Sequence, residues 1–209
     1  MVELKVLIIA SSPESDIEYI GELYRTEKPD KVICADGGSK KADALGIKPY
    51  LHIGDFDSSE WKKSDKGEKY DSEKDWSDFE AAINIAWDMG ASSITVTGAT
   101  GGRYDHALAN VFTLLDPELY ERDIKIADSK NIIRPLKRGR YKKPEGFKYM
   151  GIVAADEKIE GVTLKGVKYP VEGAVFYRYE SLGISNEITE ESATVDFQKG
   201  KGFIIFSKD

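Results

Sequence analysis

Apolar positions change their rhythm twice along this chain. Val6-Leu7-Ile8-Ile9-Ala10 is a short unbroken apolar run, the mark of a strand buried on both faces. Ile17, Ile20, Leu23 and Tyr24 then follow at helical spacing within Ser15–Arg25. Lys31–Ala35 and Tyr50–Ile53 read as two further strands, with a short helix over Ser39–Leu45 between them, ended by Gly46. Ser77-Asp78-Phe79-Glu80 has the form of a capping box, opening a helix that runs to about Met89 and stops at Gly90. Ser93–Thr97 is a fourth strand, Asp105–Leu115 a helix halted before Pro117, and Ile124–Ala127 a fifth strand. Strands alternating with helices predict a mostly parallel, right-handed α/β sheet.

Beyond about residue 120 the helical rhythm disappears. Phe147–Ala154, Ile159–Leu164, Ala174–Tyr179, Ala193–Phe197 and Phe203–Phe206 are β-like runs separated by turn signals such as Glu160-Gly161 and Lys165-Gly166. They predict a small antiparallel β-sandwich or barrel. The expected division is an α/β domain over 1–128 and an all-β domain over 129–209, with Ser129–Lys143 as the candidate linker.

Charge sharpens that division. The chain's 209 residues carry 30 Lys+Arg against 37 Asp+Glu, a net of −7. Residues 1–123 hold 14 basic and 25 acidic side chains, a net of −11, and the remaining 16 and 12 give +4. The overall acidity argues against a dedicated nucleic-acid binder. The stretch 130–143 has seven basic residues and no acid, but its one aromatic, Tyr141, is poor equipment for base stacking, so a solvated loop or hairpin is expected there. One cysteine, Cys34, excludes an intrachain disulfide framework, and two histidines exclude a multi-His metal site. No apolar run approaches the ~20 residues of a membrane span. Met1–Ser12 lacks the basic region and cleavage pattern of a signal peptide, so a cytoplasmic location is expected.

In a parallel α/β sheet, ligands bind beyond the carboxyl ends of the strands. Four polar clusters fall there: Asp36-Gly37-Gly38, Gly54-Asp55-Phe56-Asp57-Ser58, Lys74-Asp75-Trp76-Ser77-Asp78 and Gly98–Arg103. Five aspartates at one sheet edge would repel one another unless a cation sat among them. Oxygen donors without thiolates suit Mg²⁺. Glycines admit backbone N–H groups close to phosphate, and Arg103 offers a forked donor. These parts describe Mg²⁺-nucleotide chemistry, although Asp-Gly pairs also serve plain turns and Asp75 or Asp78 could serve only the helix start. The chain has no G-x-x-x-x-G-K-[ST], no G-x-G-x-x-G and no G-x-S-x-G, so the common phosphate loops and the nucleophile elbow are excluded.

The ordered set Ala35-Asp36-Gly37-Gly38, Gly54-Asp55-Phe56-Asp57-Ser58, Lys74-Asp75-Trp76-Ser77-Asp78-Phe79-Glu80 and Gly101-Gly102-Arg103-Tyr104-Asp105-His106 with Asn110 resembles the motifs of the thiamin pyrophosphokinases. Ser185-Asn186-Glu187 resembles that family's thiamin-domain motif, and Ser77 stands where the family more often has Thr. The resemblance implies a Rossmann-like catalytic domain followed by a β-domain. It implies a homodimer with thiamin between the catalytic domain of one subunit and the β-domain of the other. It implies Mg²⁺-dependent transfer of pyrophosphate from ATP to the thiamin hydroxyl, leaving AMP. On this resemblance Asp55, Asp57, Asp75 and Asp78 are the metal-holding carboxylates, one of which also accepts the hydroxyl proton, and Arg103 stabilises the transferring group. Asp36, Gly37, Gly38, Lys74, Gly101, Gly102, Asp105, His106 and Asn110 line the ATP site, and Ser185 and Asn186 hydrogen-bond the thiamin pyrimidine. All three tryptophans lie in the first half, leaving the aromatic partner of thiamin unassigned. A hydroxymethyl-pterin acceptor and a non-enzymatic nucleotide or thiamin sensor are the competing readings.

Overall fold

The computed structural model describes residues 3–54, 68–70 and 77–209. The chain divides into two compact units, residues 1–129 and 130–209.

The first unit is an all-parallel sheet with helices. Its strands are β1 (Lys5–Ile9), β2 (Lys31–Ala35), β3 (Leu51–Ile53), β4 (Glu68–Tyr70), β5 (Ser93–Thr97) and β6 (Asp123–Ala127), in the spatial order β4-β3-β2-β1-β5-β6. The register aligns Ile8 with Ile33 on one side and with Val96 on the other. Val6 to Ile9 are all buried, because both faces of this central strand are covered, which is why the run is apolar without alternation. The chain builds outward from β1 to β4, then returns to add β5 and β6 on the opposite side of β1. The order therefore reverses between β1 and β5.

The helices are α1 (Ile17–Glu27), α2 (Gly38–Ala44), α3 (Asp78–Asp88), α4 (Tyr104–Thr113) and α5 (Pro117–Tyr120). The capping box at α3 is present in full: Glu80 N–H donates to Ser77 Oγ at 3.2 Å and Ser77 N–H donates to Glu80 Oε2 at 2.9 Å. Such a cap contributes about 1 kcal/mol. It starts the helix that lays Phe79, Ala82, Ile83 and Ala86 into the core, against β1, β2 and β3.

The second unit pairs β7 (Asn131–Pro135), β13 (Gly202–Ser207) and β9 (Tyr149–Ala154) in one antiparallel sheet, with β13 in the middle. A second antiparallel sheet has the order β11 (Val171–Tyr177), β10 (Lys158–Lys165), β12 (Ala193–Asp196), β8 (Gly139–Tyr141). Both contribute to one core, including Ile152, Ile204 and Phe206 from the first and Ile159, Leu164 and Val195 from the second. The expected sandwich is thus formed.

Ser129–Lys143 is not a linker. It holds β7 and β8, and Leu136 between them is 0% exposed in the core of this unit. Nor is it a hairpin: β7 pairs with β13, whereas β8 pairs with β12 in the other sheet. The basic residues disguised a segment whose Leu136, Ile132 and Tyr141 pack on this core, while Ile133 is buried on the other face of β7. Strand β4 was also unexpected, since Glu68-Lys69-Tyr70 has no apolar run to announce it. Among the described residues, no helix is long and apolar enough to cross a membrane.

Candidate active site

The reversal of strand order between β1 and β5 opens a crevice at their carboxyl ends, the usual ligand position in such sheets. A cleft of about 480 Å³ lies there. Asp36, Asp78, Gly101, Arg103, His106 and Asn110 line it, drawn from three separate stretches of sequence.

Close backbone approach brings them together. Gly38 opens α2, and a Cβ there would stand 1.9 Å from the carbonyl oxygen of Ile9, so only glycine lets α2 rest on the end of β1. Asp36 just before it takes a left-handed conformation (φ 50°) and donates its N–H to Ile53 O at 2.8 Å. Asp tolerates this region better than most residues. A Cβ on Gly54 would lie 3.1 Å from Asp36 Cα and 3.1 Å from Asp78 Oδ2. The end of β3, the turn after β2 and the first carboxylate of α3 therefore meet at one point.

The loop from β5 to α4 forms the opposite wall. Thr100 Oγ1 donates to Asp128 Oδ2 at 2.7 Å, and Asn110 Nδ2 donates to Ala99 O at 2.9 Å, so the first half of the loop is tied to both the end of β6 and α4. Arg103 grips Asp105 with two bonds, Nε to Oδ1 at 3.1 Å and Nη2 to Oδ2 at 2.5 Å. This pairing holds the Asp105 carboxyl below the usual range and raises the guanidinium; the His106 N–H also donates to Asp105 Oδ1 at 3.0 Å. Both partners are exposed, so the pair orients the guanidinium rather than stabilising the fold.

The third wall was missed from sequence. Ser11, Ser12 and Pro13, just after β1, also line the cleft. Ser11 Oγ donates to Asp36 Oδ2 at 3.4 Å, and Ser12 Oγ is buried with no hydrogen-bond partner among the described residues. The signal lies in their position: Ser11 and Ser12 follow the end of β1 as the aspartate and glycine clusters follow β2, β3 and β5.

Asp55, Asp57, Lys74 and Asp75 lie outside the described residues. Among the described residues no three His, Cys, Asp or Glu gather as a metal site, so of the expected metal set only Asp78 is placed, on the cleft wall. Gly37 caps α2, and Gly102 precedes Arg103 at the start of α4. Cys34 is buried in β2, and burial pushes its thiol up to about 12, consistent with packing rather than thiol chemistry.

In the second unit, Ser185 is exposed in a left-handed conformation (φ 59°). Asn186 is only 5% exposed. Its amide donates to Tyr169 O at 2.9 Å and accepts from Tyr169 N–H at 3.0 Å and from Glu187 N–H at 2.9 Å. Its own backbone bridges to Met150 in both directions. The Tyr169 side chain so held is 59% exposed. Tyr169 was not anticipated, because only the folded contact reveals its link to Asn186.

Comparison with known proteins agrees with this architecture. The family profile described as thiamin pyrophosphokinase, catalytic domain, matches residues 24–127, and that of the thiamin pyrophosphokinase vitamin B1 binding domain matches residues 140–201. A thiamine pyrophosphokinase of Bacillus subtilis is 32% identical over 186 residues, covering 85% of this chain and 87% of its own. The crystal structure of thiamine pyrophosphokinase from Bacillus subtilis superposes with a TM-score of 0.84 at 29% identity, covering 98% of this chain and 99% of the other. That of thiamin pyrophosphokinase from Geobacillus thermodenitrificans does so at 0.86 and 28%, covering 99% and 98%. With both family profiles matched in order and the fold shared end to end, the chain belongs to the thiamin pyrophosphokinase family of enzymes.

Proposed function

We propose that this enzyme transfers the pyrophosphoryl group of ATP to the hydroxyl of thiamin, producing thiamin diphosphate and AMP, with Mg²⁺ as the metal. The hydroxyl oxygen attacks the β-phosphorus, the bond from that phosphorus to the α–β bridging oxygen breaks, and the hydroxyl proton passes to a carboxylate. The observation that carries this reading is the convergence of Asp36, Asp78, Arg103 and His106 on one cleft at the strand-order reversal. Phosphoryl-type transfer needs positioning and charge stabilisation more than covalent chemistry, and the cleft walls offer both.

Asp36, Gly37, Gly38, Lys74, Gly101, Gly102, Asp105, His106 and Asn110 are assigned to ATP. Arg103 supplies charge to the transferring group, oriented by Asp105. The donor set suits a hard cation: the Asp78 carboxylate lies at the end of β3, its Oδ2 3.1 Å from where a Cβ on Gly54 would stand. Asp55, Asp57, Asp75 and Asp78 would hold Mg²⁺, which when bound neutralises phosphate charge. On the thiamin side, Ser185 faces solvent beside Asn186, and Asn186 acts by presenting the Tyr169 ring, a flat apolar surface for the pyrimidine or thiazolium.

The same reading includes a homodimer and a cytoplasmic location. Supporting the first, α4 buries no residue, and Tyr104 and Leu108 stand 84% and 58% exposed one turn apart. Supporting the second, the one cysteine is a buried free thiol, suited to a reducing compartment.

The test is direct. Purified protein with ATP, Mg²⁺ and thiamin should yield AMP and thiamin diphosphate in equal amounts. Asp55→Asn should lower the rate by orders of magnitude with the fold intact. Formation of ADP and thiamin monophosphate would overturn the mechanism, turnover of a hydroxymethyl-pterin in preference to thiamin would overturn the acceptor, and tight binding without turnover would favour a sensor.

A further inference from the structure

Lys41 has no part in the assignment above, yet its ammonium makes three hydrogen bonds within the fold. It stands on α2, and its side chain reaches the loop between β1 and α1. Its Nζ donates to Ala10 O at 2.9 Å, to Ser12 O at 2.6 Å and to Ser15 Oγ at 2.8 Å. An ammonium has three protons, so the set is complete. Ser15 Oγ in turn donates to Ser12 O at 2.7 Å, and the Ser15 N–H reaches the same carbonyl at 3.3 Å. The loop is wound around one point charge.

This is not how an ornamental lysine behaves. A surface lysine keeps its head in water. Here the ammonium is half-buried among neutral acceptors, and burial lowers it to about 8. The fold accepts that cost, and what it gains is a fixed loop. The residues of that loop are the missed wall of the cleft: Ser11, Ser12 and Pro13. Ser12 N–H is bonded to Gly98 O at 2.8 Å, which ties the same loop to the wall carrying Gly101 and Arg103. Carbonyl oxygens repel phosphate oxygens, and engaging two of them with a cation removes that repulsion from the loop.

We propose that Lys41 is a positioning residue for the ATP site, locking the Ala10–Ser15 loop in the shape that holds Ser11 and Ser12 on the cleft wall. It acts through the loop and does not itself line the cleft. The inference rests on the assignment of this cleft to ATP.

The experiment compares the full-length wild-type protein with Lys41→Met and Lys41→Arg, with Lys41→Gln in place of the methionine variant should that one fail to fold. Backbone hydrogen exchange over residues 10–16 is measured first, without any ligand. Steady-state kcat and KM for ATP and for thiamin follow, with the dissociation constant of a non-hydrolysable ATP analogue. Exchange in the loop should rise about tenfold or more in Lys41→Met, as expected of a locally opened segment. KM for ATP should rise about tenfold with kcat within about threefold, the pattern of lost ground-state positioning. KM for thiamin should not move, and Lys41→Arg should restore most of the ATP affinity. Unchanged loop exchange would overturn the inference. So would faster exchange with unchanged ATP affinity, or an equal fall in kcat and kcat/KM. If the wild-type protein binds no ATP analogue, the assignment of the cleft fails, and the exchange data alone still decide whether Lys41 holds the loop.

Discussion

The side-chain amide of Asn186 closes a two-point hydrogen-bonded ring on the backbone of Tyr169, donating to its carbonyl and accepting from its N–H. The two are 17 residues apart in sequence. A buried amide that mimics a β-bridge in this way cannot be replaced cheaply, because its loss strands three backbone groups, the Tyr169 carbonyl and N–H and the Glu187 N–H. Asn186→Ala should therefore destabilise the protein by roughly 1–3 kcal/mol, read by chemical denaturation. It should also raise KM for thiamin at least tenfold while leaving KM for ATP unchanged. Equal effects on both substrates would contradict the thiamin-side role.

Gly38→Ala probes the packing of α2 on β1. The added carbon would sit 1.9 Å from Ile9 O, with no flexible neighbour to yield. A loss at or above the upper end of the ~1–3 kcal/mol typical of overpacking is expected. Gly46→Ala is the control: nothing lies within 4 Å of its new carbon, and only its left-handed backbone (φ 66°) resists, at about 1 kcal/mol. Thermal melts of the two variants should separate clearly.

The Arg103–Asp105 pair predicts a titration. Arg103 lowers the Asp105 carboxyl, chiefly through their hydrogen bonds. Because the folded value lies below the unfolded one, the pair's contribution to the fold, small for partners so exposed, is present at neutral pH. That contribution is lost as pH falls through the folded midpoint. Carboxyl NMR should place Asp105 below the ordinary aspartate value, and Arg103→Gln should move it back up. Asp105→Asn should reduce kcat by loosening the guanidinium, with thermal stability nearly unchanged.

Lys41 predicts a pH dependence of the same sign in an alkaline window, here because the fold disfavours the charged form. Its folded value is about 8 against an ordinary 10.5, through burial. Between those values the unfolded chain binds the extra proton, so this group's contribution to stability rises with pH across that window. Subtracting the denaturation curve of Lys41→Met from that of the wild type, pH by pH, isolates the effect. A flat difference from pH 8 to 10.5 would show that Lys41 titrates normally.

The apolar stripe of α4 predicts an association. Leu108→Lys should convert a dimer to monomer by sedimentation, without unfolding the protein, if α4 lies in the subunit contact. An unchanged dimer would move the interface elsewhere.

The pattern of apolar residues made most of the fold legible. β2 and β5 have the bounds their apolar runs predict, and Ser77-x-x-Glu80 caps α3 as its spacing requires. What stayed hidden has physical causes. Among the described residues, Glu68–Tyr70 pairs with β3 alone, at the end of the sheet, so it needs no apolar signature. Arg134, Lys137 and Arg140 masked Ile132 and Leu136, because the core of this unit takes only scattered apolar positions from a segment otherwise rich in charge. In the cleft, aspartates and glycines advertised themselves by type, whereas Ser11 and Ser12 are commonplace residues whose meaning comes only from the strand they follow. Tyr169 was hidden for a similar reason, since nothing in the sequence couples it to Asn186.

The central place of β13 in its sheet has a consequence for biosynthesis. Gly202–Ser207 pairs with Asn131–Pro135 on one side and with Tyr149–Ala154 on the other, so the two earlier strands have no common neighbour until β13 arrives. Every strand of the first unit, by contrast, is already in place by Ala127. On a ribosome, the first unit can complete its sheet while the chain is still growing, whereas the second must wait with open β7 and β9 edges for its last strand. Long-range pairing of this kind is slow, and open edges invite wrong partners. The interval before β13 emerges is the stage of synthesis at which this chain is most exposed to misassembly.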